Sequence, residues 1–357
     1  MKKSKFLFGF VFLLVGCSGV KDSSQSVVLP VTDSSATSVG IDTSTTNPAI
    51  QGNLVIYPYF DNADDFSEGL AVVGVGDKYG FIDKSGKMVI NPQFFDARDF
   101  SEGLAAVLVG DKYGFIDKSG NMVITPQFVF PSVFSEGLAA VLVGDKHGFI
   151  DKSGNMVIYP YFDEAFDFSE GLASVRVGDK YGFIDKSGNM VITPQFVFPS
   201  DFSEGLAMVQ VGDKRSFIDK SGNMVITPQF DNAYDFSEGL AMVRVGDKHG
   251  FIDKSGKMVI TPQFDDAYSY SEGLAAVGVA GKRGFIDKSG KMVINRQFDW
   301  AGSFSDGLAI VSVGDKYGFI DKSGNMVITP QFDWASSFSE GLAAVGVGDY
   351  KWGYISK

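Results

Sequence analysis

Apolar and polar residues alternate along this chain in a pattern that repeats every 34 residues. Residues 222–255, GNMVITPQFDNAYDFSEGLAMVRVGDKHGFIDKS, show one full copy. The aromatic residue that opens Phe-Ser-Glu-Gly recurs at 66, 100, 134, 168, 202, 236, 270 (as Tyr), 304 and 338. Nine units follow one another: 52–85, 86–119, 120–153, 154–187, 188–221, 222–255, 256–289, 290–323 and 324–357. A fixed period of 20–50 residues is the mark of a repeat architecture.

Within a unit the alternation has the period of strands, and no segment has the period of a helix. In unit 86–119 the run Met88-Val89-Ile90 is β-branched and ends at Asn91-Pro92. Pro92 has no N–H to donate, so it belongs at a strand end, a bulge or an edge. Residues 93–99 read as the loosest part. Phe100-Ser101-Glu102-Gly103 reads as a tight turn in which Gly103 supplies a positive φ. Residues 104–109 form the second strand, and Gly110-Asp111 is a two-residue hairpin of the primed type. Residues 113–117 form the third strand, and Lys118-Ser119-Gly120 suits a type I turn closed by a glycine bulge. Gly239, at the Gly103 place, is therefore expected at positive φ. Gly74 and Gly278 lie inside strands, where alanine is expected to be neutral or slightly stabilising.

Comparison among the nine copies separates inside from outside. The places of Ala105, Val107 and Val109 hardly vary, whereas those of Ala106 and Leu108 accept many residues. This predicts one core face and one face nearer solvent. Phe115-Ile116 recurs in every unit but the last, which predicts a strand buried on both sides by stacked neighbours. The predicted fold is all-β: a tandem array of nine antiparallel three-stranded meander units. An open or superhelical array is preferred to a closed propeller-like ring, because propellers typically have four to eight blades of four strands.

Gly114-Phe115-Ile116-Asp117, Gly120, Val123-Ile124, Pro126, Phe128 and Phe-Ser-Glu-Gly-Leu-Ala at 134–139 recur at these spacings through residues 52–357. The pattern resembles the bacterial WG-repeat family, also called KWG repeats. The resemblance implies a secreted or envelope-facing β-repeat protein without a shared enzymatic activity. The signature Trp of that family stands only at Trp352; elsewhere its place holds Tyr79, Tyr113, His147, Tyr181, Arg215, His249, Arg283 and Tyr317. Tolerance of Arg there predicts a half-exposed position.

The ends of the chain alter the picture. Lys2, Lys3 and Lys5 precede an apolar run, residues 6–15, too short to span a bilayer, so residues 1–16 read as a secretory signal. Leu14-Val15-Gly16-Cys17 resembles the bacterial lipoprotein box, which implies cleavage before Cys17 and its acylation. Cys17 is the only cysteine, so no disulfide forms within the chain. Residues 17–51 are rich in Ser and Thr, lack aromatics and read as a disordered tether. The expected location is the cell envelope, with the membrane as one partner through acylated Cys17.

Composition narrows the chemistry. The net charge is −12 and is spread along the repeats, which disfavours nucleic acid or anionic lipid head groups as partners. His147 and His249 are substitutions at the permissive Trp place. No metal-protease helix, cysteine pair, nucleophile elbow or dinucleotide loop is present. Glu102, Asp111 and Asp117 recur in turns. Neither paired-carboxylate hydrolysis nor a calcium loop is the reading that Asp-Lys-Ser-Gly-Asn supports best. No catalytic residue, cofactor or metal is expected. Aromatic residues at free places are the candidate binding surface: Tyr113, Tyr181, Tyr234, Tyr268, Trp300, Trp334 and Trp352. The expected function is a lipid-anchored binding or scaffolding surface for a protein or glycan. The alternatives are a purely structural surface protein and, less favoured, an envelope glycan hydrolase.

Overall fold

The computed structural model describes residues 53–348 and 351–357, and its regular structure there is entirely β-strand. The leader, Cys17 and the tether lie outside the described residues. Each unit folds as an antiparallel meander. In the second, Asp96–Ala97, Leu104–Val109, Lys112–Asp117 and Met122–Phe128 pair in chain order. The last three are the strands that periodicity reveals. The first is new: it falls in the stretch read as loosest, because a two-residue strand is too short to display an alternation.

Seven sheets have four strands. They and the remaining two are numbered here as blades 1 to 9, blade 1 starting at Asn62. In blades 3 and 5 the ladder keeps three strands, beginning at Leu138 and Leu206. The inner segment of these blades carries Val129-Phe130-Pro131-Ser132 and Val197-Phe198-Pro199-Ser200. Proline cannot donate to a ladder. The segment is instead held by one serine, which makes two hydrogen bonds to a single residue of the next strand. Ser132 N donates to Ala140 O at 2.9 Å and its Oγ accepts from Ala140 N at 2.9 Å. Ser200 does the same with Met208, at 2.8 and 3.0 Å.

The array closes into a ring. Asn53–Phe60 pairs antiparallel with Lys351–Ser356, Leu54 opposite Ile355 and Phe60 opposite Trp352, and becomes the outer strand of blade 9. The fold is a nine-bladed β-propeller, which corrects the expected open or superhelical array of three-stranded units. The physical reason lies in the phase of the repeat. The described chain begins with an outer strand and ends with a third strand, so the two ends each lack what the other supplies. Left open, both would present unpaired backbone.

The seam between blades repeats around the ring. Leu70, Val72, Phe81, Ile90 and Phe94 of blade 1 pack on Ala97, Phe100, Ala105, Val107 and Ile116 of blade 2. The rings of Phe81 and Phe100 lie 4.9 Å apart, and the closing pair Phe66–Tyr354 lies 5.0 Å apart. Burial of each such aromatic contributes about 1.5–3 kcal/mol. Phe115 faces one neighbouring blade and Ile116 the other, both fully buried. The second strand is likewise buried on both sides: Leu104 and Ala106 face blade 3, Ala105 and Val107 face blade 1. The variable Ala106 place is therefore core, not the solvent side, and Val109 at the strand end is exposed. Variation at 106 is tolerated because each seam repacks independently.

Polar contacts sew the same seam at the Phe-Ser-Glu-Gly turns. Ser67 Oγ donates to Phe100 O at 2.8 Å, and Gly103 N donates to Glu68 Oε2 at 2.9 Å. Ser339 Oγ to Phe66 O, at 2.7 Å, and Gly69 N to Glu340 Oε2, at 3.0 Å, repeat both contacts across the closure. The turn has positive φ at two residues, Glu102 (53°) and Gly103 (88°), so it is type I′ rather than a turn resting on glycine alone. The left-handed Glu is held in place by the bond its carboxylate makes with the next blade.

Candidate functional site

The short strands face the ring axis. Charges two blades apart around the ring still act on one another there: Asp99 of blade 2 acts on Tyr354 of blade 9, and Arg98 of blade 2 acts on Asp167 of blade 4. The residue before each Phe-Ser-Glu-Gly lies on this axial edge. It is Asp at 65, 99, 167, 201 and 235, Val133 in blade 3, and Ser at 269, 303 and 337. One half of the axis is thus acidic. Enclosure by protein, and then Asp64 and Asp65, push the Asp99 carboxyl up to about 6. Enclosure, and then Asp167 and Asp235, do the same for Asp201. Asp64, Asp65 and Asp167 are raised too, enclosure being the largest cause in each.

This fixes a pH dependence. A carboxyl raised in the fold opposes folding when ionised, so stability is gained as pH falls from above 6 toward the unfolded value near 4. The turn carboxylates act in the opposite sense. Asp117 is held low by the side chain and backbone of Asn121. Glu68 is held low by Lys118 and Gly103 against its partial burial. Their contribution is lost as pH falls below about 4. Thermal melts should therefore give a maximum near pH 5, with Tm a few degrees above that at pH 7.5. Asp99→Asn with Asp201→Asn should flatten the rise between pH 7.5 and 5. A Tm that falls steadily from pH 7.5 to 5 would contradict this placement of the aspartates.

Register gathers the freely varying places into one row per blade, next to the Gly-Asp hairpin. In blade 2, Asp96 lies opposite Leu108, and Leu108 opposite Tyr113. In blade 4 the row is Glu164, Arg176 and Tyr181; in blade 7 Asp266, Gly278 and Arg283; in blade 8 Trp300, Ser312 and Tyr317. The adjacent row, Ala97–Val107–Gly114 in blade 2, is nearly constant among blades. Within the variable rows side chains bond to each other. Tyr113 OH donates to Asp96 Oδ2, and Tyr181 OH to Glu164 Oε2. Enclosure and these carboxylates push both phenols up to about 12. Arg176 pairs with Glu164 at 2.9 Å. Arg283 pairs with Asp266 and stacks 5.2 Å from the centre of Tyr268 and 5.9 Å from that of Trp300. His147, lowered by burial against its contact with Asp163 O (3.1 Å), is half-buried in the same place.

The sequence-predicted aromatic residues divide. Tyr234 and Trp334 are exposed. Tyr181, Tyr268, Trp300 and Trp352 are half-buried, and Tyr113 is buried. Trp300 packs on the blade 8–9 core and lies 6.0 Å from Tyr317, while Trp352 packs on the closing core. They sit along the rows rather than on one continuous sheet of rings. Sequence reasoning passed over the aspartate column before Phe-Ser-Glu-Gly, although its alternation of Asp, Val and Ser is visible on comparing units. It also passed over Tyr57, Tyr59, Tyr159 and Tyr161, whose rings are exposed on two outer strands. The turn carboxylates are committed locally. Asp117 Oδ1 accepts from Ser119 N and Asn121 N at 2.9 Å each, and Glu102 accepts from Gly137 N and Lys152. No group of three or more His, Cys, Asp or Glu among the described residues is arranged to hold a metal ion.

The profile of the family described as "WG containing repeat" matches nine times, at residues 50–79, 79–113, 113–146, 148–181, 181–214, 216–248, 250–282, 284–317 and 317–352. No curated protein sequence matches the chain. Among solved structures, "Crystal structure of the eukaryotic initiation factor" aligns over 77% of this chain and 89% of its own, at 12% identity and a TM-score of 0.56. BamB from Moraxella catarrhalis aligns over 85% of this chain and 98% of its own, at 10% identity and a TM-score of 0.44. The dihydro-heme d1 dehydrogenase NirN aligns over 78% and 76%, at 13% identity and 0.45. At such identities the likeness is one of fold alone.

Proposed function

The chain belongs to the WG-repeat family, and from that premise we propose that it is a non-enzymatic binding propeller, anchored in the cell envelope through acylated Cys17. The observation that carries the binding reading is the variable row. The blades repeat their core, turns and seams almost unchanged, and differ where Asp96, Leu108, Tyr113 and their equivalents lie side by side. A constant frame with one changing row per blade suits recognition of an extended protein or glycan. The row mixes aromatic faces, hydroxyls and ion pairs, which are the groups that stack on sugars and bond to peptides. The leader and Cys17 support the anchoring, with the Ser/Thr-rich residues 17–51 between that cysteine and the propeller in the sequence.

The test has two arms. Glycan, peptidoglycan and envelope-protein arrays are probed with the propeller, and hits are repeated with Trp334→Ala and Tyr234→Ala. Saturable binding weakened at least tenfold by either change supports the reading. Silence on every array, or binding indifferent to both changes, overturns it. Cys17→Ser is expected to move the protein from the membrane fraction to the soluble fraction; retention in the membrane fraction overturns the anchor.

A further inference from the structure

Two departures from the repeat meet at one place. In blade 4 the second strand carries Ser174 where its siblings carry apolar residues such as Ala106, Met208 and Ile310. In blade 5 Pro199 leaves the inner segment a single bridge to Val209. Between them, at the inner edges of blades 4 to 6, opens a cavity of about 270 Å³ lined by Phe166, Ser174, Pro199, Ser200, Asp201 and Asp235. Ser174 is only 3% exposed and is the one polar side chain at its place in the ring. It adds a hydrogen-bonding group to a lining that is apolar at this place in the other blades.

The ring contains its own comparison. Two blades earlier the same six places hold Arg98, Ala106, Pro131, Ser132, Val133 and Asp167. There the Arg98 guanidinium lies 5.8 Å from the centre of the Tyr113 ring, and its charge eases the enclosure of Asp167. In blades 4 to 6 the aromatic Phe166 takes the place of Arg98, 6.1 Å from Tyr181. An aspartate replaces Val133, and neither Asp201 nor Asp235 forms a salt bridge among the described residues. The copy at blades 2 to 4 carries its cation on the chain. The copy at blades 4 to 6 has one more carboxylate, an aromatic wall, the hydroxyl of Ser174 in place of Ala106, and no cation.

We propose that this cavity binds a guanidinium group supplied from outside, with Asp201 and Asp235 as counter-charges, Phe166 as the aromatic face and the Ser174 hydroxyl as a hydrogen-bond acceptor. Charge-assisted bonds and a cation over an aromatic face are what such a planar, five-donor group uses. The group can arrive on a free small molecule or on an arginine side chain of a peptide. The site uses none of the variable-row residues, although Phe166 lies beside Tyr181 of the blade 4 row, and it does not depend on their having a ligand.

The full chain is titrated by calorimetry with arginine amide, agmatine, the tripeptide Gly-Arg-Gly and citrulline amide, the uncharged isostere. Saturable one-to-one binding of at least one guanidinium probe, with citrulline amide at least tenfold weaker, is expected. Tripeptide binding as tight as agmatine assigns the source to a peptide; agmatine alone assigns it to a small molecule. Phe166→Arg, which copies blade 2, should abolish binding by filling the cavity with the chain's own cation. Asp201→Asn with Asp235→Asn should weaken it at least tenfold, and serves in place of Phe166→Arg if that variant does not fold. No binding of any guanidinium probe, equal binding of citrulline amide, or affinity unchanged in the variants overturns the proposal. Failure here with Trp334-dependent array binding intact would leave the variable-row reading standing.

Discussion

Deleting residues 53–60 should unfold the far end of the chain. That strand supplies Ile56 and Phe60 to the closing core beside Leu342, Ala344 and Tyr354. It is also the hydrogen-bonding partner of Lys351–Ser356. Hydrogen exchange should rise sharply through Leu342–Val347 and Lys351–Ser356, some three hundred residues away in sequence, while blades 4 to 6 keep their protection. The milder Phe60→Ala should cost about 3–5 kcal/mol, as a large-to-small change in a packed core does. An open array predicts something different, since Phe60 would there touch only its own neighbours in sequence. If the deletion leaves exchange in residues 342–356 unchanged, the ring is not closed by this strand.

The second large effect separates three kinds of glycine. At Gly250 a Cβ would meet Ile260 O at 2.4 Å and Pro262 N at 2.7 Å. Both are backbone atoms of the outer strand, so nothing flexible can yield. Gly250→Ala should cost about 3 kcal/mol. At Gly239 a Cβ meets nothing within 4 Å, but φ is +87°, so Gly239→Ala should cost roughly 1–2 kcal/mol through backbone strain alone. At Gly278 the nearest atoms are Arg283 Cγ and Asp266 Cβ, both at 3.4 Å, and φ is not positive, so alanine should be nearly neutral. Gly74 is tighter, with Asn62 Cβ at 3.1 Å. Blade 5 alone carries a Cβ at the Gly250 place, on the fully buried Ser216, and in that blade Arg215 Nε is buried without a partner. Chemical denaturation of the three alanine variants should rank them 250, 239, 278. A Gly278→Ala variant less stable than Gly250→Ala would reverse the assignment of close approach.

The repeat, three of its four strands and its hairpins could be read from the residues because their signals are local. Gly120 sits at φ 84° and donates to Asp117 O at 2.9 Å, as a type I turn with a glycine bulge requires. The inner strand could not be read from alternation, since Asp96 and Ala97 make only two pairs with their neighbour. Its alanine, replaced only by Pro131 and Pro199 and seen again at Ala63, Ala233 and Ala301, was the available sign, because a small residue recurring beside variable ones marks a packed contact. Closure was illegible for another reason. The residues at 53–60 that meet Lys351–Ser356 are the same apolar and proline pattern that all the outer strands but that of blade 7 carry, so nothing in them distinguishes a ring from a row. The candidate site divides likewise. The variable places showed themselves singly, whereas their union in one row depends on register between strands. The cavity depends on residues from three blades.

Closure by the first strand sets an order of assembly. As the chain emerges from the ribosome, blades can stack as each is completed, but blade 9 has no outer strand until its last residues meet those made first. Until then the chain has two adhesive ends: Phe66, Ala71, Val73 and Ile82 on one side, and the bare edge of the newest blade on the other. Because all units carry nearly the same edge, either end can capture the wrong partner, including the matching edge of a second molecule. Such long-range pairing is slow and leaves intermediates open to association. Concentration during refolding should therefore decide between single rings and chained ones.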